Sequence, residues 1–366
     1  MSSISGNNQR FQIFDGIRGL CAIVVLLFHS TFLTGVPVFV SGFLAVDLFF
    51  LMSGFVLACA YDSRLAAGMS APEFMRRRFA RLLPMWIIGL SVGFAISLLL
   101  ATRGSGGASG PLVSAYLAGL LFVPFPVPHS PYLFAFNLPG WSLAFELLAN
   151  LIFACVARRL VGNWLIALLM VATATLVAAM IWSGGGDRGA EWSQAGIALA
   201  RVTFGFFLGV FLYRTMAVAT PRNAGVAGVA TILLLTGAVL FFRPVQFPAL
   251  YDVGLIVLFF PALIIAASRL KAAGKVAAML DHLGAISYPL YAIHFPALMI
   301  GKAAWGHLFG WDRPLPMAFV AVLLAAILAV SWVLGRYIDP YFFGLLERKT
   351  RGLARFRPFQ PVAVER

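Results

Sequence analysis

Long apolar runs, broken by short polar, glycine-rich or basic connections, set the rhythm of this 366-residue chain. Runs long enough to cross a bilayer begin near Gly19, Gly42, Leu82, Trp141, Asn163, Gln194, Ala224, Leu250, Ala285 and Pro316, each with the ~20 residues that the hydrocarbon thickness demands. Ten spanning helices are expected. An eleventh piece, Leu112 to Val123, is too short to cross at ~1.5 Å per residue and runs into Pro124, Pro126, Pro128 and Pro131, which stop a helix. It is expected to be re-entrant or interfacial. The predicted fold class is therefore all-α, a polytopic membrane helical bundle of about ten transmembrane helices plus that segment. It forms one transmembrane domain over 1–366, with its core at about 11–340 and a basic cytoplasmic tail at 341–366.

The polar connections test the orientation. With the amino terminus in the cytoplasm, the inner side receives Arg10, Arg18, Arg64, Arg76, Arg77, Arg78, Arg81, Arg158, Arg159, Arg214, Arg222, Arg269, Lys271, Lys275 and the tail from Arg336 to Arg366. The outer side receives only Arg103, Arg188, Arg243, Lys302 and Arg313. This one-sidedness is the positive-inside pattern, and a full crossing by Leu112 to Val123 would destroy it. Both termini are expected in the cytoplasm, in a multi-pass membrane protein.

Composition changes the picture in two respects. At 61% hydrophobic, 11% charged and a mean hydropathy of +0.93, the chain has more apolar surface than a water-soluble core can hide. The formal charge of +14 would suggest nucleic acid in a soluble protein, but here the basic residues lie between apolar runs, so no nucleic-acid partner is expected. Cys21, Cys59 and Cys155 lie inside apolar runs without metal-ligand or pairing spacing, so they are expected to pack and no metal site is expected. The polar start Met1 to Arg10 lacks a small-x-small cleavage site after it, so the first run is expected to be a retained span. Gly104 to Gly110 and Ser183 to Gly189 are expected to be turns, since neither carries a lysine placed for phosphate. No internal repeat or appended soluble domain is visible.

Ionisable side chains inside hydrocarbon are costly and few, and each is a functional candidate. Arg18 and His29 are eleven residues apart, which returns to within about 20° of the same helix face, ~16 Å further along. Asp47, Glu146 and Arg201 are expected at the depth of His29, close to the outer ends of their spans. Such a set could neutralise itself as a structural cluster. Beside an imidazole it could equally supply a base, a group that orients it and a stabiliser of negative charge. His29 alone could be a core histidine bonded to a carbonyl. His294 also falls near the midplane, and helical spacing puts Tyr291 with His294, and Tyr288 with Tyr291, on shared faces. At the inner surface Arg78 and Arg81 share a helix face, suited to phosphate oxygens or to anionic lipid headgroups.

Taken together these residues resemble the membrane-bound acyltransferase type 3 family. The likeness covers nearly the whole chain and rests on five segments in order. Phe14-Asp15-Gly16-Ile17-Arg18-Gly19-Leu20 running to His29 is similar to the family's Arg-x10-His opening. Asp47 to Ser53-Gly54-Phe55 is similar to its acidic residue and Ser-Gly-Phe turn, and Arg78-Phe79-Ala80-Arg81 to its Arg-x-x-Arg signature. Trp141-Ser142-Leu143-Ala144-Phe145-Glu146 and Ile286-Ser287-Tyr288-Pro289-Leu290-Tyr291-Ala292-Ile293-His294 also look like family segments.

The resemblance implies an O-acyltransferase that takes its acyl group from cytoplasmic acyl-CoA, most often acetyl-CoA, with His29 as the essential histidine. The acceptor is expected to be a glycan or lipid-linked sugar, a lipopolysaccharide or exopolysaccharide by family habit. Arg18, Arg78 and Arg81 would hold the donor's phosphates while its arm reaches towards His29. His29 would act as general base or carry the acyl group, with Asp47 or Glu146 fixing its tautomer. Ser53 is expected to lend a hydroxyl at the donor site, and Trp141, Ser142, Arg201, Tyr288, Tyr291 and His294 to line or support the groove. The rival from another class is a proton-coupled transporter or flippase, because buried His, Asp, Glu and Arg also describe a proton relay.

Overall fold

The computed structural model describes residues 11–103, 109–216, 221–311, 313 and 315–345. Met1 to Arg10, residues 104–108 of the expected Gly104 to Gly110 turn, and the expected tail from residue 346 onward lie outside the described residues.

Twelve α-helices follow in chain order: α1 (Gln12–Thr34), α2 (Ala45–Ala66), α3 (Ala71–Arg103), α4 (Ser109–Leu120), α5 (Gly140–Val156), α6 (Asn163–Ser183), α7 (Ala195–Thr215), α8 (Gly225–Phe241), α9 (Pro248–Gly254), α10 (Phe260–Ser268), α11 (Gly274–Phe309) and α12 (Met317–Val333). A π-helical turn, Leu255–Phe259, joins α9 and α10 into one span, and another, Leu334–Ile338, extends α12. Among the described residues eight segments are long and apolar enough to cross a membrane, and α5 and α8, with 17 residues each, sit at the lower bound of that length. Together they account for the ten expected spans. Three helices start earlier than the apolar runs suggest, at Gln12, Ala71 and Gly274. Backbone hydrogen bonding continues past the hydrocarbon into polar first turns that hydropathy does not register.

The Leu112 to Val123 segment falls mostly on the 12-residue helix α4, which begins at Ser109 and ends at Leu120. It runs back along the second half of α3, where Ser91 and Tyr116 share a hydrogen bond of 2.9 Å and Trp86 Nε1 donates to the Gly119 carbonyl at 2.8 Å. Phe122 then stacks on Trp86, and the chain returns so that Phe136 packs on Phe94 and Asn137 reaches α11. The segment doubles back beside α3 and returns, which fits the re-entrant alternative, and the prolines after it keep its return from becoming a helix.

Helices α1, α2, α7 and α11 form the centre, with α1 packed on α11 and α2 on α7. Small residues permit this closeness. A Cβ on Gly19 would lie 2.6 Å from the Leu283 carbonyl oxygen, and one on Gly284 2.6 Å from the Asp15 Cβ, while Gly54 abuts the Phe206 carbonyl. Periphery and centre differ in burial: the spanning window of α2 is 72% buried and that of α12 only 17%, so α12 turns most of its apolar surface to lipid. Cys21 is buried as expected, whereas Cys155 is exposed and does not pack inside the bundle. A two-residue parallel pairing, β1 (Arg222–Asn223) with β2 (Leu270–Lys271), ties together the connections after α7 and α10.

Candidate active site

The glycine contacts between α1 and α11 bring two imidazoles together. His29 Nδ1 lies 3.1 Å from His294 Nε2 and 3.0 Å from the Val25 carbonyl. His294, only 1% exposed, turns its own Nδ1 to the carbonyls of Tyr291 and Leu290, at 2.9 and 3.1 Å. Phe28 and Phe295 meet the His29 ring edge-on. Two residues beyond His294, Pro296 lacks the N–H that would bond the Ala292 carbonyl. The Asn137 amide supplies that donor instead, at 2.8 Å, and fixes the re-entrant segment beside the histidines.

Neither carboxylate orients the imidazole, which corrects the expected role of Asp47 and Glu146. Arg201 grips Asp47 from both sides, Nε to Oδ1 at 3.0 Å and Nη2 to Oδ2 at 2.6 Å, with both side chains 1% exposed. The same guanidinium donates to the carbonyls of Phe43 and Arg188, and lies 5.2 Å from the centre of the Trp141 ring. Asp47 is thus half of a buried ion pair that joins α2, α7 and the connection 184–191. Glu146 accepts from Ser53 Oγ at 2.6 Å and from Arg78 Nη2 at 3.1 Å.

Two cavities meet in the middle of the bundle. One, of about 170 Å³, is lined by Arg18, Ser53, Arg78, Arg81, Glu146 and Tyr288 among others. The other, of about 300 Å³, is lined by His29, Tyr132, Trp141, Asp187, Glu191 and Arg201 among others. Val46 and Tyr291 face both. Glu146 therefore belongs with the arginines and not, as expected, at the level of His29. Ser142 also lines the arginine cavity, giving its proton to the Pro139 carbonyl and accepting from the Tyr291 hydroxyl at 2.5 Å. Arg78, expected at the surface, is only 15% exposed.

Each arginine of the first cavity already has a carboxylate. Arg18 pairs with Asp15, Arg78 with Glu146 and Arg81 with Asp339, while Tyr288 donates to the Leu82 carbonyl and lies under Arg81. None of these pairs uses up a guanidinium's five donors. Nε of Arg18 and Nε of Arg78 are buried donors without an acceptor. Among the described residues no group of three or more His, Cys, Asp or Glu side chains converges on a point where a metal ion could sit.

Sequence reasoning missed Asp339, brought to Arg81 from the far end of α12, and the rim of the second cavity. That rim is the connection 184–191, expected only to turn. The Leu133 N–H donates to the Ala190 carbonyl and the Trp192 N–H to that of Pro131, so the connection is stitched to the re-entrant return. Gly189, at φ +136°, packs on the Trp141 ring, where a side chain would not fit. Three charges within Asp187, Arg188 and Glu191 were the available signal.

The sequence profile described as the acyltransferase domain matches residues 11–336 in one stretch. The chain belongs to the acyltransferase family. It is similar to protein 2 in the picA locus of Rhizobium radiobacter, 35% identical over an alignment of 183 positions that covers 47% of this chain and 95% of that protein. It is also similar to acyltransferase MdmB of Streptomyces mycarofaciens, at 28% over 80% of this chain and 78% of that one. Similarity to peptidoglycan O-acetyltransferase OatA of Listeria monocytogenes is 26% over 78% of this chain and 49% of that one. No solved structure matches the chain. The acyltransferase is a membrane enzyme, as the sequence resemblance implied, and the O-acyltransferase reading agrees with both its family and the name of that relative. A transporter is not favoured.

Proposed function

We propose that this acyltransferase moves an acyl group, acetyl foremost, from acyl-CoA in the arginine cavity to a hydroxyl of a glycan or lipid-linked sugar in the histidine cavity. The observation that carries the reading is that the two cavities stand back to back across Val46 and Tyr291, with three arginines in one and His29 in the other. It operates in a bacterial inner membrane with both termini cytoplasmic. An even number of spans, ten, would return the chain to its starting side, and the skew of basic residues supports a cytoplasmic face for the arginine cavity.

The first cavity suits a phosphorylated thioester. Arg18 and Arg81, 37% and 39% exposed, are placed to hold phosphate, and the orphaned Nε of Arg78, deeper in, is free for a carbonyl of the donor's arm. The second suits a sugar, with Trp141 and Tyr132 offering apolar faces and Asp187, Glu191 and Gln194 offering partners for hydroxyls. The acceptor hydroxyl gives its proton to His29 as its oxygen attacks the thioester carbonyl. The carbon–sulfur bond then breaks, and that proton passes to the thiolate of the departing coenzyme A. Ser53 and Arg78 hold the Glu146 carboxylate where the acyl end arrives, and Arg201 with Asp47 holds the floor of the acceptor side.

Titration of acetyl-CoA against the wild type, Arg81→Ala and Arg81→Lys, in one detergent at two salt concentrations, tests the donor site. Loss of a charge-assisted phosphate contact costs on the order of 1–3 kcal/mol, so Arg81→Ala should raise the donor KM by roughly ten- to a hundredfold. Lysine should rescue only in part, because it keeps charge and loses the fork. Higher salt should weaken wild-type binding. Donor affinity equal in all three proteins would return Arg81 to the role of a membrane anchor.

A further inference from the structure

The hydrogen-bond network around the two histidines fixes where their protons sit. Backbone carbonyls only accept, and His294 Nδ1 faces two of them. That nitrogen must therefore carry the proton in the neutral ring, which leaves His294 Nε2 with a lone pair. His29 Nδ1 then lies between two acceptors, the Val25 carbonyl and His294 Nε2. It too must carry a proton. By elimination the basic nitrogen of His29 is Nε2, on a ring that lines the acceptor cavity.

We infer that His294 is the positioning residue of this acyltransferase, holding His29 by its Nδ1–H in the one tautomer able to deprotonate an acceptor hydroxyl. The inference rests on the reading of His29 as general base and deepens it. In many enzymes the orienting partner is a carboxylate. Here Asp47 is engaged by Arg201 and Glu146 by Ser53 and Arg78, while Asp187 and Glu191, which line the same cavity as His29, make no hydrogen bond to its ring. Among the described residues no carboxylate hydrogen-bonds to either imidazole.

A neutral orienting group suits this site. When the acceptor's proton arrives on His29 Nε2, the resulting imidazolium strengthens its Nδ1–H bond to the His294 lone pair. His294 gains and loses no proton. A buried carboxylate in its place would hold the imidazolium more tightly and resist return of the proton to the coenzyme A thiolate. The helix carbonyls behind His294 keep its ring from turning over, and the Val25 carbonyl offers His29 a second, weaker acceptor. Removing His294 therefore loosens the base without deleting it.

Four proteins and two readouts test this: wild type, His29→Ala, His294→Leu and His294→Gln, assayed for kcat and donor KM and, for the wild type, by ¹⁵N solid-state NMR of labelled histidine. Leucine fills the space and accepts no hydrogen bond, so kcat should fall about tenfold to a hundredfold, the scale of a misplaced catalytic group. Donor KM should stay within about twofold, since His294 does not line the arginine cavity. The amide oxygen of His294→Gln can accept in place of Nε2 and should recover a measurable part of kcat. The spectrum should show both rings protonated at Nδ1 and bare at Nε2. A wild-type kcat in His294→Leu, equal losses in the leucine and glutamine variants, or a His29 proton on Nε2 would overturn the inference. If His294→Leu fails to fold, the glutamine variant and the wild-type spectrum still decide it. Transfer by His29→Ala would instead sink the underlying base reading, so the two failures are distinguishable.

Discussion

His29→Ala should lose acyl transfer by about 10²–10⁴-fold, the contribution of a positioned general base, while binding acetyl-CoA as tightly as the wild type. His29 lines the histidine cavity and not the arginine cavity, so its loss removes the proposed base without touching the arginines proposed to hold the donor. Its ring is partly exposed to that cavity and makes one bond to its own helix. Truncation should therefore leave a folded, inserted protein. Release of coenzyme A, followed with a thiol reagent, reports the chemistry, and calorimetric titration of acetyl-CoA reports the binding. Retention of a substantial part of the rate by a well-folded variant would remove His29 from the reaction.

Asp47→Ala should cost about 3–5 kcal/mol of stability, because it strands the Arg201 guanidinium at a site where both side chains are 1% exposed. Truncating Trp141, an uncharged wall of the same cavity, leaves no such charge behind. The paired change Asp47→Leu with Arg201→Met should recover most of the loss, since apolar groups of similar size can replace a buried ion pair. Arg201 also donates to the Phe43 and Arg188 carbonyls, so the connection 184–191 should stay looser in the double variant, with raised KM for acceptor. Thermal unfolding of the three proteins in one detergent checks the stability, and a melting temperature unchanged in Asp47→Ala would contradict the pairing. Full transfer by the double variant would make Asp47 purely structural.

Much of this arrangement is legible in the sequence. Hydropathy marks the spans, and the prolines from Pro124 to Pro131 mark the re-entrant return. The rarity of charge inside the spans points to His29, Asp47, Glu146 and Arg201. The partnerships are not legible in the same way. His29 and His294 are 265 residues apart, Asp47 and Arg201 are 154 apart, and Arg81 and Asp339 are 258 apart. Which of them meet depends on how far helices slide and approach, and that is set by glycines such as Gly19, Gly54 and Gly284, whose missing Cβ leaves no trace in hydropathy. A shared depth along separate spans is thus weaker information than a shared wall. Glu146, expected beside His29, stands on the other side of Tyr291.

In the proposed reaction His29 delivers acyl groups to a glycan hydroxyl. Mass spectrometry of cell-surface glycans tests it most directly, in cells that lack the gene and in the same cells given back the wild type or His29→Ala. An acyl increment on a sugar hydroxyl should vanish with the gene, return with the wild type and stay absent with His29→Ala. Glycans carrying the same acyl groups in all three strains would contradict the account.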